Sequence, residues 1–182
     1  MIDRFLTRTK RRRRGRRRPR AVLALTLFGL GLIGFATLAR PAPWLVWNAS
    51  ASAPIGLYRV LQGNAVRGDL VLVRTPNSAR QLAAERGYLP ATVPLVKRVA
   101  ALDGDIICAA GDAISVNGRF VAERLVHDRS GRPMPRWSGC HLLGDSEVFL
   151  LMEGVSDSFD GRYFGPVPTA TIVGRLAPLW IE

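Results

Sequence analysis

Nineteen consecutive uncharged and mostly apolar residues, Ala21–Ala39 (AVLALTLFGLGLIGFATLA), constrain this chain more than any other feature. At helical rise such a run reaches about 30 Å, the hydrocarbon thickness of a bilayer, so it is expected to span a membrane. What precedes it fixes the direction. Residues 1–20 carry eleven Lys/Arg against Asp3 alone, whereas only Arg40 follows closely on the other side. By the positive-inside rule the tail stays cytoplasmic and the body of the chain lies across the membrane. A cleavable signal peptide is the competing reading, since Thr37 and Ala39 are small residues ahead of a plausible cut, but the apolar run is long for that role. The organisation expected is a tail over 1–20, an anchor over 21–39 and one domain over 40–182, a size that suits a single core.

The net charge of +12 suggests a nucleic-acid binder until its placement is considered. Beyond residue 20 the chain has fifteen Lys/Arg and thirteen Asp/Glu, only +2. The basicity belongs to the tail, topology accounts for it, and no nucleic-acid partner is expected for the folded domain. Cys108 and Cys140 fit an oxidising compartment, where pairing is the default, and a disulfide is expected. Closing a loop of about 33 residues stabilises a fold by roughly 3 to 4 kcal/mol in the chain-entropy model. A metal site is disfavoured, because only His127 and His141 accompany the cysteines and the spacing matches no zinc motif.

After the anchor, the segment Pro41–Trp47 is apolar with two tryptophans and suits a membrane-water interface. Short β-rich runs follow at Leu57–Leu61, Asp69–Thr75, Pro94–Leu102, Asp105–Cys108 and Ala113–Glu123, the last broken by the hairpin signal Asn117-Gly118. Glu147–Met152 and Thr171–Ile181 have the same character, while Arg129–Gly139, with two prolines and two glycines, reads as loop. One short helix is expected over Ala79–Arg86, with Ser78 and Gln81 as a capping box and Gly87 as the stop. The fold class is therefore mainly antiparallel β, sheet or barrel-like, behind a single transmembrane helix.

Two places carry chemistry. In Asn48–Tyr58 (NASASAPIGLY) the serines Ser50 and Ser52 stand among small residues that leave a hydroxyl open, and Pro54 and Gly56 form a turn that would present them rigidly. The second is Lys97, the only lysine beyond the tail of a chain that otherwise uses arginine. Arginine stays protonated at any working pH, whereas a desolvated lysine becomes neutral and accepts a proton. Strand alternation puts Leu95, Lys97 and Val99 on one face, and two readings stay open: an inward lysine acting as general base, or an edge lysine snorkelling to solvent. His141 beside Cys140 and His127 in the charged stretch HDRSGR read as structural or surface residues, although a Ser-His-Asp triad is assembled by folding and spacing does not exclude one.

Three blocks resemble those of the type I signal peptidase family, the Ser-Lys serine proteases. SAPIGLY at Ser52–Tyr58 resembles the nucleophile box in its SxPxGxY form, VKRVAALDGD at Val96–Asp105 the lysine box, and SFDGRYFGPV at Ser158–Val167 the SxDSRYxGxV box, in the family's order and spacing. Within the family the chain is most similar to the conjugative-transfer peptidases of the TraF type, through its single anchor, short length, spaced cysteine pair and SxPxGxY box in place of SMxPT. It departs in having Gly161 where the box usually has Ser, and GDS at Gly144–Ser146 where GDN is usual.

The resemblance implies Ser52 as nucleophile and Lys97 as general base. The Ser52 N–H and the Ser50 hydroxyl would be the oxyanion donors. Ser158 would hold Lys97, and Asp160 and Arg162 would support the site by a salt bridge, Asp160 with a more direct catalytic part in TraF-like enzymes. It implies a bacterial inner-membrane protein with its catalytic domain in the periplasm, cleavage after small residues of a membrane-anchored precursor such as a pilin, and an extended substrate added as a β-strand. No metal or cofactor is implied. Head-to-tail cyclisation of the pilin is associated with this type. Rival readings are a general signal peptidase, a self-cleaving Ser-Lys regulator, disfavoured by the anchor and the lack of a DNA-binding domain, and a non-catalytic scaffold for pilus or secretion assembly.

Overall fold

The computed structural model describes residues 18–39 and 43–182, with the side chains of 18, 37–39 and 78 excepted. The expected cytoplasmic tail, up to residue 17, and Arg40 lie outside the described residues. The chain divides into two units, Met1–Ala42 and Pro43–Glu182. In the first, helix α1 (Arg18–Ala39) contains one window, Pro19–Ala36, of mean hydropathy 1.7 that is long and apolar enough to cross a membrane. Its side chains Leu25, Phe28 and Phe35 are exposed, and Thr26 returns its hydroxyl to the Val22 carbonyl at 3.0 Å, so no polar group is left open at mid-helix.

The second unit is built of strands β1 (Leu45–Asn48), β2 (Gly56–Leu61), β3 (Leu70–Val73), β4 (Leu95–Ala101), β5 (Ile106–Ala110) and β6 (Ala113–Val116). These are followed by β7 (Arg119–Glu123), β8 (Gly139–Leu142), β9 (Glu147–Leu151), β10 (Val167–Pro168) and β11 (Ile172–Ile181), with helices α2 (Asn77–Glu85) and α3 (Gly161–Phe164) between them. Seven strands form one sheet in the order β1-β2-β11-β3-β4-β9-β10, and the rest a smaller one in the order β7-β6-β5-β8. Every pairing is antiparallel, as the strand patterning implies.

The core follows the sheets. Ile107, Ile114, Leu143 and Phe149 pack where the small sheet meets β9, while Tyr58, Leu72, Val96 and Met152 form a second cluster below the nucleophile loop. Each large apolar side chain so buried contributes about 1.5 to 3 kcal/mol. Hairpin β6–β7 turns at Asn117 (φ 50°) and Gly118 (φ 78°), the positive-φ pair that two-residue turns require. Cys108 and Cys140 are directly opposed in the β5–β8 register and form a disulfide.

Two local expectations differ. Helix α2 begins at Asn77 with Pro76 as its N-cap and no side-chain cap, so Ser78 lies inside the first turn and is not a capping residue. Proline at that position supplies a fixed φ and needs no donor, and the helix starts two residues early. The apolar segment around Trp47 is a paired strand, β1, and not only an interfacial stretch; its ladder to β2 runs from Leu45↔Arg59 to Asn48↔Gly56.

Candidate active site

The nucleophile-loop motif is explained residue by residue. Between β1 and β2 the chain leaves the ladder at Asn48 and rejoins it at Gly56. Gly56 has φ 154°, and a Cβ there would lie 2.1 Å from the Trp180 carbonyl oxygen of β11, so no other residue fits. Tyr58, 2 % exposed, donates its hydroxyl to the Pro54 carbonyl at 2.7 Å and closes the loop from below. Ser52 is thereby left half-buried at the top of the loop, with exposed Ser50 beside it at an Oγ–Oγ distance of 3.1 Å. The Ser52 N–H also faces the Ser50 Oγ, at 3.4 Å.

Lys97 is inward-facing. It lies in β4, opposite Val71 of β3, and only 3 % of it is exposed. Its Nζ is 3.2 Å from the Ser52 Oγ and donates to the Ser158 Oγ at 2.7 Å. Burial is the main reason its pKa is brought from the ordinary 10.5 down to about 8; the Asp160 carboxylate opposes that, the Arg162 guanidinium assists it, and Asp157 opposes it weakly. An amine so poised is neutral in roughly a tenth of the molecules at pH 7, against about one in three thousand for an ordinary lysine. Once it loses a proton, its lone pair faces the Ser52 hydroxyl, the arrangement needed to activate a nucleophile.

Behind Lys97 lies a buried ion pair. Asp160, fully buried, accepts from Arg162 Nε at 2.8 Å, from the Arg162 backbone N–H at 3.2 Å and from the Met152 N–H at 3.0 Å. Arg162, 1 % exposed, also donates to the carbonyls of Met152, Ser156 and Glu123. A buried charge pair is tolerable only with such full hydrogen bonding. Among the described residues, the hydrogen bonds of Asp160 go to Arg162 and Met152 and none to Lys97, Ser52 or Ser158. Its influence on Lys97 is through charge.

Gly161, the departure from the family box, has a local cause. A Cβ there would lie 2.6 Å from the Leu150 carbonyl and 2.7 Å from the Phe149 ring, so the serine usual at this position has no room. Neither histidine joins the site. His141 pairs with Glu147 at 2.7 Å, and exposed His127 lines the far part of the groove; among the described residues the Ser52 hydroxyl is partnered by Ser50 and Lys97.

The dyad opens into a groove of about 1040 Å³ whose walls include Trp47, Val96, Tyr88, Asp128 and Phe159. Its far wall comes from the stretch read as exposed loop. There the Asp128 carboxylate accepts from the Tyr88 hydroxyl, from Arg132 Nε at 2.7 Å and from the N–H of Ser130, and Arg132 donates to the Arg86 carbonyl at 3.2 Å. The Asx-turn pattern Asp-x-Ser at Asp128–Ser130 is a sequence signal from which this order could be read. A smaller cavity of about 320 Å³, walled by Arg67, Arg98 and Arg119, lies apart from the dyad.

A family model described as signal peptidase, peptidase S26, matches residues 18–180. A plasmid transfer protein TraF of Escherichia coli is 35% identical over 142 residues, covering 72% of this chain and 80% of that one. A probable conjugal transfer protein TraF of Sinorhizobium fredii is 33% identical over 180 residues, covering 91% and 90%. A crystal structure of a signal peptidase I from Enterococcus faecalis aligns with a TM-score of 0.35 at 19% identity, over 63% of this chain and 98% of that one.

Proposed function

This chain belongs to the signal peptidase family S26, and from that premise we propose that it is a membrane-anchored serine endopeptidase with a Ser52–Lys97 dyad, which trims a pilin or similar precursor for conjugative transfer. The observation that carries the reading is the buried Lys97 Nζ, 3.2 Å from the Ser52 Oγ and held by Ser158. Relatives named for plasmid or conjugal transfer support the choice of substrate class.

The chemistry runs in two halves. Neutral Lys97 takes the proton of Ser52 as Oγ attacks the scissile carbonyl, and the resulting oxyanion is met by the Ser52 N–H and the Ser50 hydroxyl. Collapse breaks the C–N bond, Lys97 returns the proton to the leaving amine, and an ester on Ser52 remains. Water, or an amine of the substrate itself, then attacks the ester with Lys97 again as base, and Ser52 is regenerated. Asp160 and Arg162 support this by fixing the segment that carries Ser158 and by setting the charge around Lys97.

Anchoring by α1, with the N-terminus cytoplasmic and the second unit periplasmic at the inner membrane, brings the groove to substrates that are themselves embedded. The second unit exposes Trp44, Leu45, Trp47, Leu179, Trp180 and Ile181 around the β1 and β11 ends, with Trp47 stacked on Trp180 at 5.6 Å, a composition suited to the membrane interface. The test is cleavage of a co-expressed pilin precursor in membranes by wild type, Ser52→Ala and Lys97→Arg, followed by mass spectrometry. Loss of trimming in both variants while they insert and fold upholds the dyad. Cleavage by Lys97→Arg at the wild-type rate overturns it, and a product lighter by one water than the trimmed linear chain identifies cyclisation.

A further inference from the structure

Asn48 is 4 % exposed, and its amide makes more hydrogen bonds than any other side chain of the nucleophile loop. Its Nδ2 faces the carbonyl oxygens of Ser50 at 3.0 Å, Ala53 at 3.1 Å and Pro54 at 3.0 Å, sharing two protons among three acceptors. Its Oδ1 accepts the Ser50 N–H at 3.1 Å. Both the donor and the acceptor of the Ser50 peptide are therefore taken by one side chain. Three carbonyls on one side and an N–H on the other also fix which way the amide points.

The ladder between β1 and β2 stops at Asn48 and Gly56; between them the backbone pairs only sparsely, with the Ala53 N–H donating to the Ser50 carbonyl at 3.3 Å and the Glu182 N–H to the Ile55 carbonyl at 3.0 Å. The four bonds of the Asn48 amide add to these from inside the loop. Resting on the Ser-Lys reading above, we infer that Asn48 is the positioning residue of the oxyanion pocket. It fixes the Ser50 backbone, and through it the direction of the Ser50 hydroxyl toward Ser52, while touching neither Lys97 nor the attacking oxygen. Aspartate in its place keeps the shape but brings a carboxylate against three carbonyl oxygens. Alanine removes all four bonds.

Full-length protein in membranes, acting on the co-expressed pilin precursor, gives the test, with kcat and KM measured separately for Asn48→Ala, Asn48→Asp and Ser50→Ala, and for Asn48→Ala combined with Ser50→Ala. The expected result is a fall of about 10²-fold or more in kcat for either Asn48 variant with KM within about threefold, the size expected for loss of one oxyanion donor. Added to Ser50→Ala, the Asn48→Ala change should cost less than about fivefold, because two residues acting through one hydroxyl are not additive. The acid limb of the pH profile, set by Lys97, should not move. The inference is overturned if Asn48→Ala leaves kcat as it was, costs the same factor with and without Ser50, or shifts the acid limb. It is overturned too if both Asn48 variants fail to fold, for Asn48 is then a folding residue. Activity surviving in Ser52→Ala would instead sink the dyad reading on which it rests.

Discussion

Replacing Lys97 by methionine should make the protein more stable at neutral pH, and the gain should disappear in alkali. A buried lysine whose pKa falls from 10.5 to about 8 binds its proton more weakly folded than unfolded. Between those two values the unfolded chain carries more protons, so stability rises with pH through that window. The penalty is fully present below about 8 and gone above about 10.5. A difference of about 2.5 on the pH scale corresponds to about 3 kcal/mol. Methionine fills a similar volume without a charge, but it leaves the buried Ser158 hydroxyl without the Lys97 donor, which costs about 1 kcal/mol. The net expectation is a gain of about 2 kcal/mol at pH 7 for Lys97→Met, falling by about 3 kcal/mol by pH 11. Urea unfolding of the full-length protein in detergent micelles, followed by tryptophan fluorescence at a series of pH values, measures this directly. Taking the difference between variant and wild type cancels the titration of every group not coupled to Lys97. A difference that stays constant from pH 7 to 11 would refute a desolvated Lys97, and with it the basis for a neutral amine at the site.

Four further outcomes follow from the same geometry. Ser50→Ala should lower kcat by about 10²- to 10³-fold with little change in KM, as read from precursor processing. Asp160→Asn strands the Arg162 charge in the core and should cost about 3 to 5 kcal/mol in urea unfolding, with part recovered on adding Arg162→Met. Because the Asp160 charge also holds the Lys97 pKa up, the acid limb of whatever activity remains should move to lower pH. Gly161→Ala should cost about 1 to 3 kcal/mol, since the new methyl meets Leu150 and Phe149; Phe149→Leu in the same chain should return part of it. Joint replacement of Cys108 and Cys140 by serine should cost roughly 3 kcal/mol, seen as a lower urea midpoint, without altering the pH profile of the dyad.

Most strands could be read from the sequence because their alternation and turn residues are local: the Asn117-Gly118 hairpin falls where its positive-φ pair demands. β1 is hidden because Trp47 and its neighbours are as suitable for a membrane interface as for a sheet edge, and only pairing with β2 across the Ser52 loop decides between them. The facing of Lys97 was open for a similar reason. Alternation names its companions on β4, but burial depends on β3 and β9 on either side. The Asp128 wall is not legible in the sequence because its polar residues look solvated until Tyr88 and Arg86, some forty residues earlier, are folded against them. Asn48 gave no usable sign, as all its partners are backbone atoms of a loop whose path cannot be seen in the sequence.

The order of the large sheet bears on how the protein is made. β11, the last strand of the chain, lies between β2, which continues from the Ser52 loop, and β3, which borders the strand of Lys97. No ladder joins β2 to β3 directly. A nascent chain thus carries Ser52 and Lys97 long before it owns the strand that sets their segments in one sheet. A polypeptide halted after Ser158 but before Ile172 carries Ser52, Lys97 and Ser158 without the strand that holds their segments in one sheet.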